Sequence, residues 1–556
     1  MLAACAFLGA GVTAGAQSTP ARAKHGMVVA ADRLAAAAGV EALRAGGSAV
    51  DAAVTTAFVL AVTYPNAGNI GGGGFLVHRS ASGDAAAYDF RETAPAAASP
   101  EMFLTDGTYD FARHHASHSA VGVPGSVAGL HRAWMDHGRL PWRRLVEPAI
   151  ALARDGFVLS HDRAASLAGV LLRMARYPAS LAAFSKNGEP YAAGDRFRQP
   201  DLAATLERIA DEGPAGFYAG RTAELIAREM EAGGGLITAA DLGAYEPRVR
   251  EPIRGTYRSH TVLSMPPPSS GGVALVQMLN VLEGWDLAAA GHGSATNVHR
   301  MAEAMRRAFA DRARHLGDPD FNRAMPVARL TSKDYAAGLR ATIGPERASV
   351  SGPDRFEWPP VGQETTHVSV VDAERNAVAL TTTLEQSYGS KIVVPGAGFL
   401  LNNEMGDFNA APGLTTAAGL IGTRPNLAEP GKRMLSSMTP AIVVRDGRIV
   451  LVTGSPGGRT IINTVLHTIL NVVDFGMNVQ EAVDAPRFHH QWLPDELRYE
   501  RRGLSPDTIT LLEQRGHRLV ARPRQGAAQA IAVDAETGIL EGGADPRRPD
   551  STAAGY

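Results

Sequence analysis

Two periodicities alternate along the first part of the chain. Residues 28–31 form a short apolar run of strand length. Residues 34–45 and 49–62 carry apolar positions at helical spacing. A glycine run, Gly71-Gly72-Gly73-Gly74, then leads into Phe75-Leu76-Val77. Past the middle the pattern changes. Residues 354–363 are polar and contain Pro359-Pro360, which reads as an extended linker. After the linker, Thr365-Thr366-His367-Val368-Ser369-Val370-Val371, a polar stretch at 372–376 and a second β-rich run at 377–383 predict a hairpin. Residues 441–444 and 449–453, joined by Arg445-Asp446-Gly447, predict another. Ile461, Ile462, Val465, Leu466, Ile469, Leu470 and Val473 then mark a buried helical face, and residues 426–431 read as loop. No repeat of solenoid period is present. The expected architecture is α/β, with antiparallel hairpins covered by helices in an α-β-β-α arrangement.

Composition narrows the function classes. At roughly 150 residues per domain, the 556 residues correspond to three or four domains or to one large α/β unit. Hydrophobic residues make up 45% and charged residues 20%, which excludes a disordered, collagen-like or multi-spanning chain. Lys plus Arg is 54 and Asp plus Glu is 56, so the net charge of −2 supplies no global field for nucleic acid or anionic lipid. Cys5 is the single cysteine, which rules out an intrachain disulfide and a CxxC site. Residues 1–16 form an apolar run ending in Ala14-Gly15-Ala16, a signal-peptide pattern too short to span a bilayer. A second reading makes Leu2-Ala3-Ala4-Cys5 a lipobox with Cys5 as the lipid attachment point, and a third makes the run a frayed N-terminus. Export is the expectation, placing the protein in the periplasm or outside the cell with no membrane span.

The common nucleotide and hydrolase motifs are missing. No P-loop, HExxH or GxSxG is found. His114, His115 and His118 form one cluster and His489-His490 another. No acid is spaced to complete a metal site with either, so both are read as structural histidines. Thr365 alone would be an ordinary strand former. Gly454-Ser455-Pro456-Gly457-Gly458 joins a predicted strand to a buried helix. Its paired glycine N–H groups suit a developing negative charge, although on physical grounds alone a plain tight turn is the favoured reading.

Six stretches, taken together and in order, resemble the γ-glutamyltranspeptidase (glutathione hydrolase) family of N-terminal-nucleophile hydrolases. They are Asp89-Phe90-Arg91-Glu92, Met265-Pro266-Pro267-Pro268-Ser269-Ser270-Gly271-Gly272, Thr365-Thr366-His367, Leu435-Ser436-Ser437-Met438, Gly454 to Gly458, and Pro486-Arg487-Phe488-His489-His490. The resemblance implies a four-layer α-β-β-α core built from two chains cut from one precursor. The cut falls at Glu364–Thr365, giving a large subunit of residues 17–364 and a small subunit of residues 365–556 that intertwine as one domain and form a heterodimer. It further implies that Thr365 is the nucleophile and, through its freed α-amine, the base. A reference α-amine titrates near ~7.7–8.0, which suits that task. Thr383 matches the hydroxyl that positions the nucleophile, and Gly457 and Gly458 match the oxyanion hole. Arg91, Ser436 and Ser437 match the positions that take the donor's α-carboxylate. A planar guanidinium suits a carboxylate because its fork donates two parallel bonds. Glu404 and Asp407 match the acids that take the α-ammonium. The implied partners are glutathione, related γ-glutamyl donors and amino acid or peptide acceptors. No metal or organic cofactor is implied.

The chain departs from the family at three places. Glu385 stands where some members carry Asn, adding a third carboxylate near the ammonium and with it mutual repulsion. Residues 409–432 match the lid loop, with Ala418 where some members place a closing Tyr. Met434 replaces the Pro usual before Leu-Ser-Ser. Two rival readings remain: a cephalosporin (glutaryl) acylase of the same fold, whose donor has no α-ammonium, and a non-catalytic binding protein on an enzyme scaffold.

Overall fold

A computed structural model describes residues 18–352, 365–414, 416–417 and 422–556. Residues 1–16 with Cys5, Glu364 and Ala418, on which the export, lipid, cleavage and lid expectations fall, lie outside the described residues.

Strand alternation decides the layering. Along Met27–Ala30, Val28 and Ala30 enter one core while Met27 and Val29 enter another. Leu76 lies on the first side of Gly73–Arg79, and Phe75 and Val77 lie on the second. Ala377–Thr383 divides the same way, with Val378 and Leu380 opposite Ala377 and Ala379. Successive side chains leave a strand on opposite faces, so strands apolar on both faces must lie between two layers.

These strands belong to a seven-stranded antiparallel sheet. Its order is Thr552–Gly555, Met27–Ala30, Thr365–Val371, Ala377–Thr383, Gly73–Arg79, Ala85–Phe90 and Arg248–Arg250. A second antiparallel sheet packs on it, in the order Ala21–Ala23, Leu540–Ala544, Gln529–Val533, Arg448–Gly454, Ala441–Arg445, His260–Ser264 and Ile253–Tyr257. Helices Arg33–Arg44 and Ala49–Thr63 cover the outer face of the first sheet. Helices Gly271–Leu282 and Thr460–Val473 cover that of the second. The α-β-β-α expectation is therefore the architecture. Both predicted hairpins form, pairing Thr365–Val371 with Ala377–Thr383 and Ala441–Arg445 with Arg448–Gly454.

Local signals explain where the covering helices start. Asp32 caps Arg33–Arg44 by accepting from the N–H groups of Leu34 and Ala35. Ser48 and Asp51 form a reciprocal capping box at the start of Ala49–Thr63. Every residue of that helix is buried, so it carries no polar stripe. Among the described residues, no helix is long and apolar enough to cross a membrane.

Strands from before and after the 353–364 segment alternate within the first sheet. Thr365–Val371 lies between Met27–Ala30 and Ala377–Thr383, and Ala377–Thr383 in turn lies against Gly73–Arg79.

Candidate active site

Thr365 opens its strand and Thr383 closes the neighbouring one. The register sets them opposite each other, with the Thr365 hydroxyl donating to Thr383 Oγ1 at 3.4 Å. Thr383 Oγ1 also accepts the Glu385 N–H at 2.9 Å. The glycine run is explained by packing against this strand end. A Cβ on Gly72 would stand 2.2 Å from the Thr383 carbonyl oxygen, so only glycine allows the approach. His367, two residues into the strand, is buried between the sheets. It bonds Thr381 Oγ1 through Nδ1 at 2.8 Å and Ser369 Oγ through Nε2 at 3.1 Å, and burial pushes its pKa down to about 3. It is a neutral packing group two residues along the strand from Thr365.

Thr365 faces a cavity with an empty volume of about 350 Å³. Arg91, Thr383, Glu385, Glu404, Asp407, Ser436, Ser437 and Gly458 also line it, together with Met438, Arg459 and Ile461. Nine of the residues singled out in the sequence thus meet in one place, although they span positions 91 to 458. Gly457 is not among the lining residues. It holds a φ of +134° next to Gly458 at +55°, backbone that favours glycine, where the chain turns into helix Thr460–Val473.

Arg91 lies at the wall and is completely buried. Its Nη1 donates to Glu404 Oε1 and its Nη2 to Asp407 Oδ2, both at 2.5 Å, and its Nε donates to the Met434 carbonyl at 3.2 Å. A guanidinium has five N–H groups, so two remain to offer a ligand. The cation handle and the acid handle expected from the sequence are therefore joined in one network. Burial alone would lower the pKa of Arg91, but Glu404, Asp407 and Glu92 outweigh it and hold the group charged. Glu404 is pushed well above the ordinary carboxylate range by burial, against the pull of Arg91 and with the nearby acids adding to the rise. Glu385 is likewise raised by burial, and it sits at a φ of +74°, a conformation that costs a non-glycine residue energy.

The Ser436-Ser437 turn is held from behind by the proline-rich stretch. Ser270 donates to the Ser436 carbonyl through its N–H at 2.9 Å and its hydroxyl at 2.5 Å, and Ser436 donates its N–H to the Pro268 carbonyl at 2.9 Å. Arg312, from helix Ala295–His315, reaches the same place. Its Nε donates to Ser270 Oγ at 2.6 Å and its Nη2 to Ser437 Oγ at 3.0 Å. Burial lowers its pKa to about 10.

Sequence reasoning missed Arg312 and Arg459. Arg459 follows directly on Gly457-Gly458, and that adjacency was a usable signal. Arg312 was hidden among Arg306, Arg307 and Arg314 on one long helix, with nothing but its buried face to mark it. The cavity thus sets Arg91 and Arg459, with Arg312 behind Ser437, against Glu385, Glu404 and Asp407. Such a wall fits a small ligand that carries both charges, next to a hydroxyl nucleophile.

The histidines read as structural fall into place separately. His489 bonds Asn463 and Gln491, and His490 bonds Asp495 Oδ1 at 3.2 Å. Burial lowers them to about 3 and about 4 respectively. Among the described residues, one group has donor atoms close enough together for a metal: His299, Glu303 and His517. There Arg306, Arg307 and Ser349 already take both oxygens of Glu303, which leaves a cation poorly served.

Comparison with known proteins agrees with this geometry. The sequence model of the family described as gamma-glutamyltranspeptidase matches residues 35–555. The chain is 49% identical to the glutathione hydrolase proenzyme of Escherichia coli (strain K12) over 542 residues, covering 97% of this chain and 93% of that protein. It is 44% identical to the glutathione hydrolase proenzyme of Pseudomonas sp. (strain A14), covering 97% of this chain and 96% of that protein. Its fold is similar to the crystal structure of a cephalosporin acylase from Bacillus halodurans, with a TM-score of 0.86 at 26% identity over 99% of both chains.

Proposed function

The chain belongs to the gamma-glutamyltranspeptidase family, and from that premise we propose how its cavity carries out γ-glutamyl transfer and hydrolysis. The protein is an N-terminal-nucleophile enzyme of the glutathione hydrolase kind. One observation carries the assignment of roles: the Thr365 hydroxyl opens into the same cavity as the Arg91, Glu404 and Asp407 network.

Thr365 first acts on its own chain. Its Oγ1 attacks the carbonyl of Glu364, the amide becomes an ester, and water opens the ester. This releases residues 365–556 with a free α-amine on Thr365. That amine then takes the proton from Oγ1 as Oγ1 adds to the γ-carbonyl of a bound donor. The N–H groups of Gly457 and Gly458 hold the oxyanion. The C–N bond breaks as the leaving amine accepts the proton, and the γ-glutamyl group remains as an ester on Thr365. Water or an amine acceptor then attacks the ester and restores the hydroxyl.

Binding uses charge at both ends of the donor's α-carbon. The two spare N–H groups of Arg91 and the hydroxyls of Ser436 and Ser437 receive the carboxylate. Glu385, Glu404 and Asp407 receive the ammonium. No step requires a cofactor. Export to the periplasm or medium is proposed from the apolar run at 1–16.

The fold likeness to an acylase keeps a second reading in view. A glutaryl donor would bring no ammonium to the wall formed by Glu385, Glu404 and Asp407, which disfavours it. A denaturing gel, N-terminal sequencing and initial rates on γ-glutamyl and glutaryl anilides test the whole scheme. The expected result is two fragments, a Thr-Thr-His start on the smaller one, and faster turnover of the γ-glutamyl anilide. An intact chain, or a preference for the glutaryl anilide, would overturn it.

A further inference from the structure

The histidine cluster at residues 114–118 divides on closer inspection. His118 Nε2 pairs with Glu229 Oε1 at 2.9 Å, and His114 packs on Phe103 and bonds the Tyr109 hydroxyl through Nδ1 at 3.1 Å. His115, the last residue of helix Phe111–His115, reaches the active site instead. Its Nδ1 lies 3.5 Å from Glu385 Oε1. Both groups are buried, and neither His115 Nδ1 nor either oxygen of Glu385 has a hydrogen-bond partner among the described residues. The two therefore face each other at ion-pair distance with no other hydrogen-bond partner for these atoms among the described residues.

The surrounding backbone is built to bring them together. Gly406 separates the two acids Glu404 and Asp407. A Cβ there would stand 2.3 Å from His115 Nδ1 and 3.3 Å from the carboxyl carbon of Glu385, so the imidazole occupies the space a side chain would take. Asn403 clamps both segments. Its Nδ2 donates to the His115 carbonyl at 2.9 Å, and its Oδ1 accepts the Gln386 N–H at 3.2 Å. Glu385 itself is held at positive φ with its N–H on Thr383 Oγ1, one hydroxyl away from the nucleophile.

We propose that His115 is the positioning residue for Glu385: it keeps that carboxyl group aimed at the donor's α-ammonium, and so sets the preference for donors that carry this ammonium. The proposal rests on the γ-glutamyl reading above. A buried carboxyl without a partner takes up a proton, and a protonated carboxyl offers an ammonium much less than a carboxylate does. The His115 ring, seated where a Cβ on Gly406 would stand and 3.5 Å from Glu385 Oε1, limits the directions in which that carboxyl group can face. The other charged or titratable groups that face the pair are Tyr109 and His114 from its own segment, Glu404 and Asp407 across Gly406, Lys391, and Arg459 from the oxyanion turn. Of the groups that bear on Glu385, His115 contributes the largest pull toward the ionised form.

The test uses processed enzyme and two substrates, γ-glutamyl and glutaryl p-nitroanilide. His115→Phe keeps a ring and removes the nitrogen. It should raise KM for the γ-glutamyl anilide about tenfold, the order expected for one lost charge-assisted contact, with kcat within about twofold. KM for the glutaryl anilide should not change. His115→Asn, which can place an N–H near the position of Nδ1, should recover most of the loss. In a Glu385→Gln background, His115→Phe should change the γ-glutamyl KM by less than about twofold, because the group it positions is gone. If His115→Phe accumulates as uncut chain, His115→Leu, which also lacks the ring nitrogen, carries the same comparison in the two backgrounds. A KM increase that is equal for both substrates, or equal in both backgrounds, overturns the proposal and marks His115 as structural. A wild-type enzyme that prefers the glutaryl anilide overturns the γ-glutamyl reading and this proposal with it. A wild type that prefers the γ-glutamyl anilide, with His115→Phe leaving that preference intact, overturns this proposal alone.

Discussion

Thr365 and Thr383 are register partners at the same end of two adjacent strands, their hydroxyl oxygens 3.4 Å apart. The Thr383 hydroxyl also accepts the Glu385 N–H. One side chain thus bonds both the proposed nucleophile and the start of the acid-bearing segment. Thr383→Val should lower kcat about 10- to 100-fold, as expected when a hydrogen bond to a charging group is lost. Single-turnover kinetics on processed enzyme would check this, and a kcat unchanged within twofold would refute it.

Thr365→Ala should leave the precursor whole. The variant lacks the atom proposed to attack Glu364, so a denaturing gel should show one band where the wild type should show two. Thr365→Ser keeps the oxygen and should still cut, more slowly, because it lacks the methyl group that restricts χ1 in the buried site. Efficient cutting of Thr365→Ala would point to another nucleophile.

Arg91 should matter for stability as well as for binding. Removing it leaves Glu404 buried beside Glu92 and Asp407 without the guanidinium that holds them. Arg91→Ala should cost about 3 kcal/mol in a denaturant titration at neutral pH, the scale seen when a buried ion pair loses one member. The double variant Arg91→Ala/Glu404→Gln should recover part of this, since it also removes a stranded charge. No recovery would mean that Arg91 stabilises by packing alone.

Glu92 gives a pH-dependent test. It is fully buried, its oxygens accept no hydrogen bond among the described residues, and burial raises its pKa from 4.5 to about 7 against the pull of Arg91. Between those two values the folded protein keeps a proton that the unfolded chain has released. Its contribution is therefore complete below about pH 4.5 and lost as pH rises through about 7. Glu92→Gln cannot lose that proton. Its Tm relative to wild type should climb from pH 4.5 to 7.5, and a flat difference would refute the assignment.

The layers were legible because their causes are local. Alternation in 365–371 and 377–383, with a polar turn between them, leaves little freedom but to pair. The apolar spacing from Ile461 to Val473 leaves little but a buried helix. The site was legible only through its motifs, since Arg91 and Ser437 come together by folding and not by spacing. What escaped were contacts between distant segments without a motif of their own. His115 looks like one more structural histidine until the carboxyl oxygens of Glu385, 270 positions later, are seen to accept no hydrogen bond among the described residues. Arg312 differs from its helix neighbours only in the direction it faces.

The alternation of strands in the first sheet has a consequence for the mature protein. Thr365–Val371 is hydrogen-bonded on one side to Met27–Ala30, from the other side of the proposed cut, and Ala377–Thr383 is bonded to Gly73–Arg79 in the same way. A cut at residue 364, as proposed, would therefore create two new termini without creating a separable interface. Dilution should not part the pieces, and each fragment expressed alone should lack the neighbours its central strands need. Reassembly from separately made halves would then be a folding reaction in two molecules, slow and prone to aggregation, whereas the uncut chain completes it once and keeps the result.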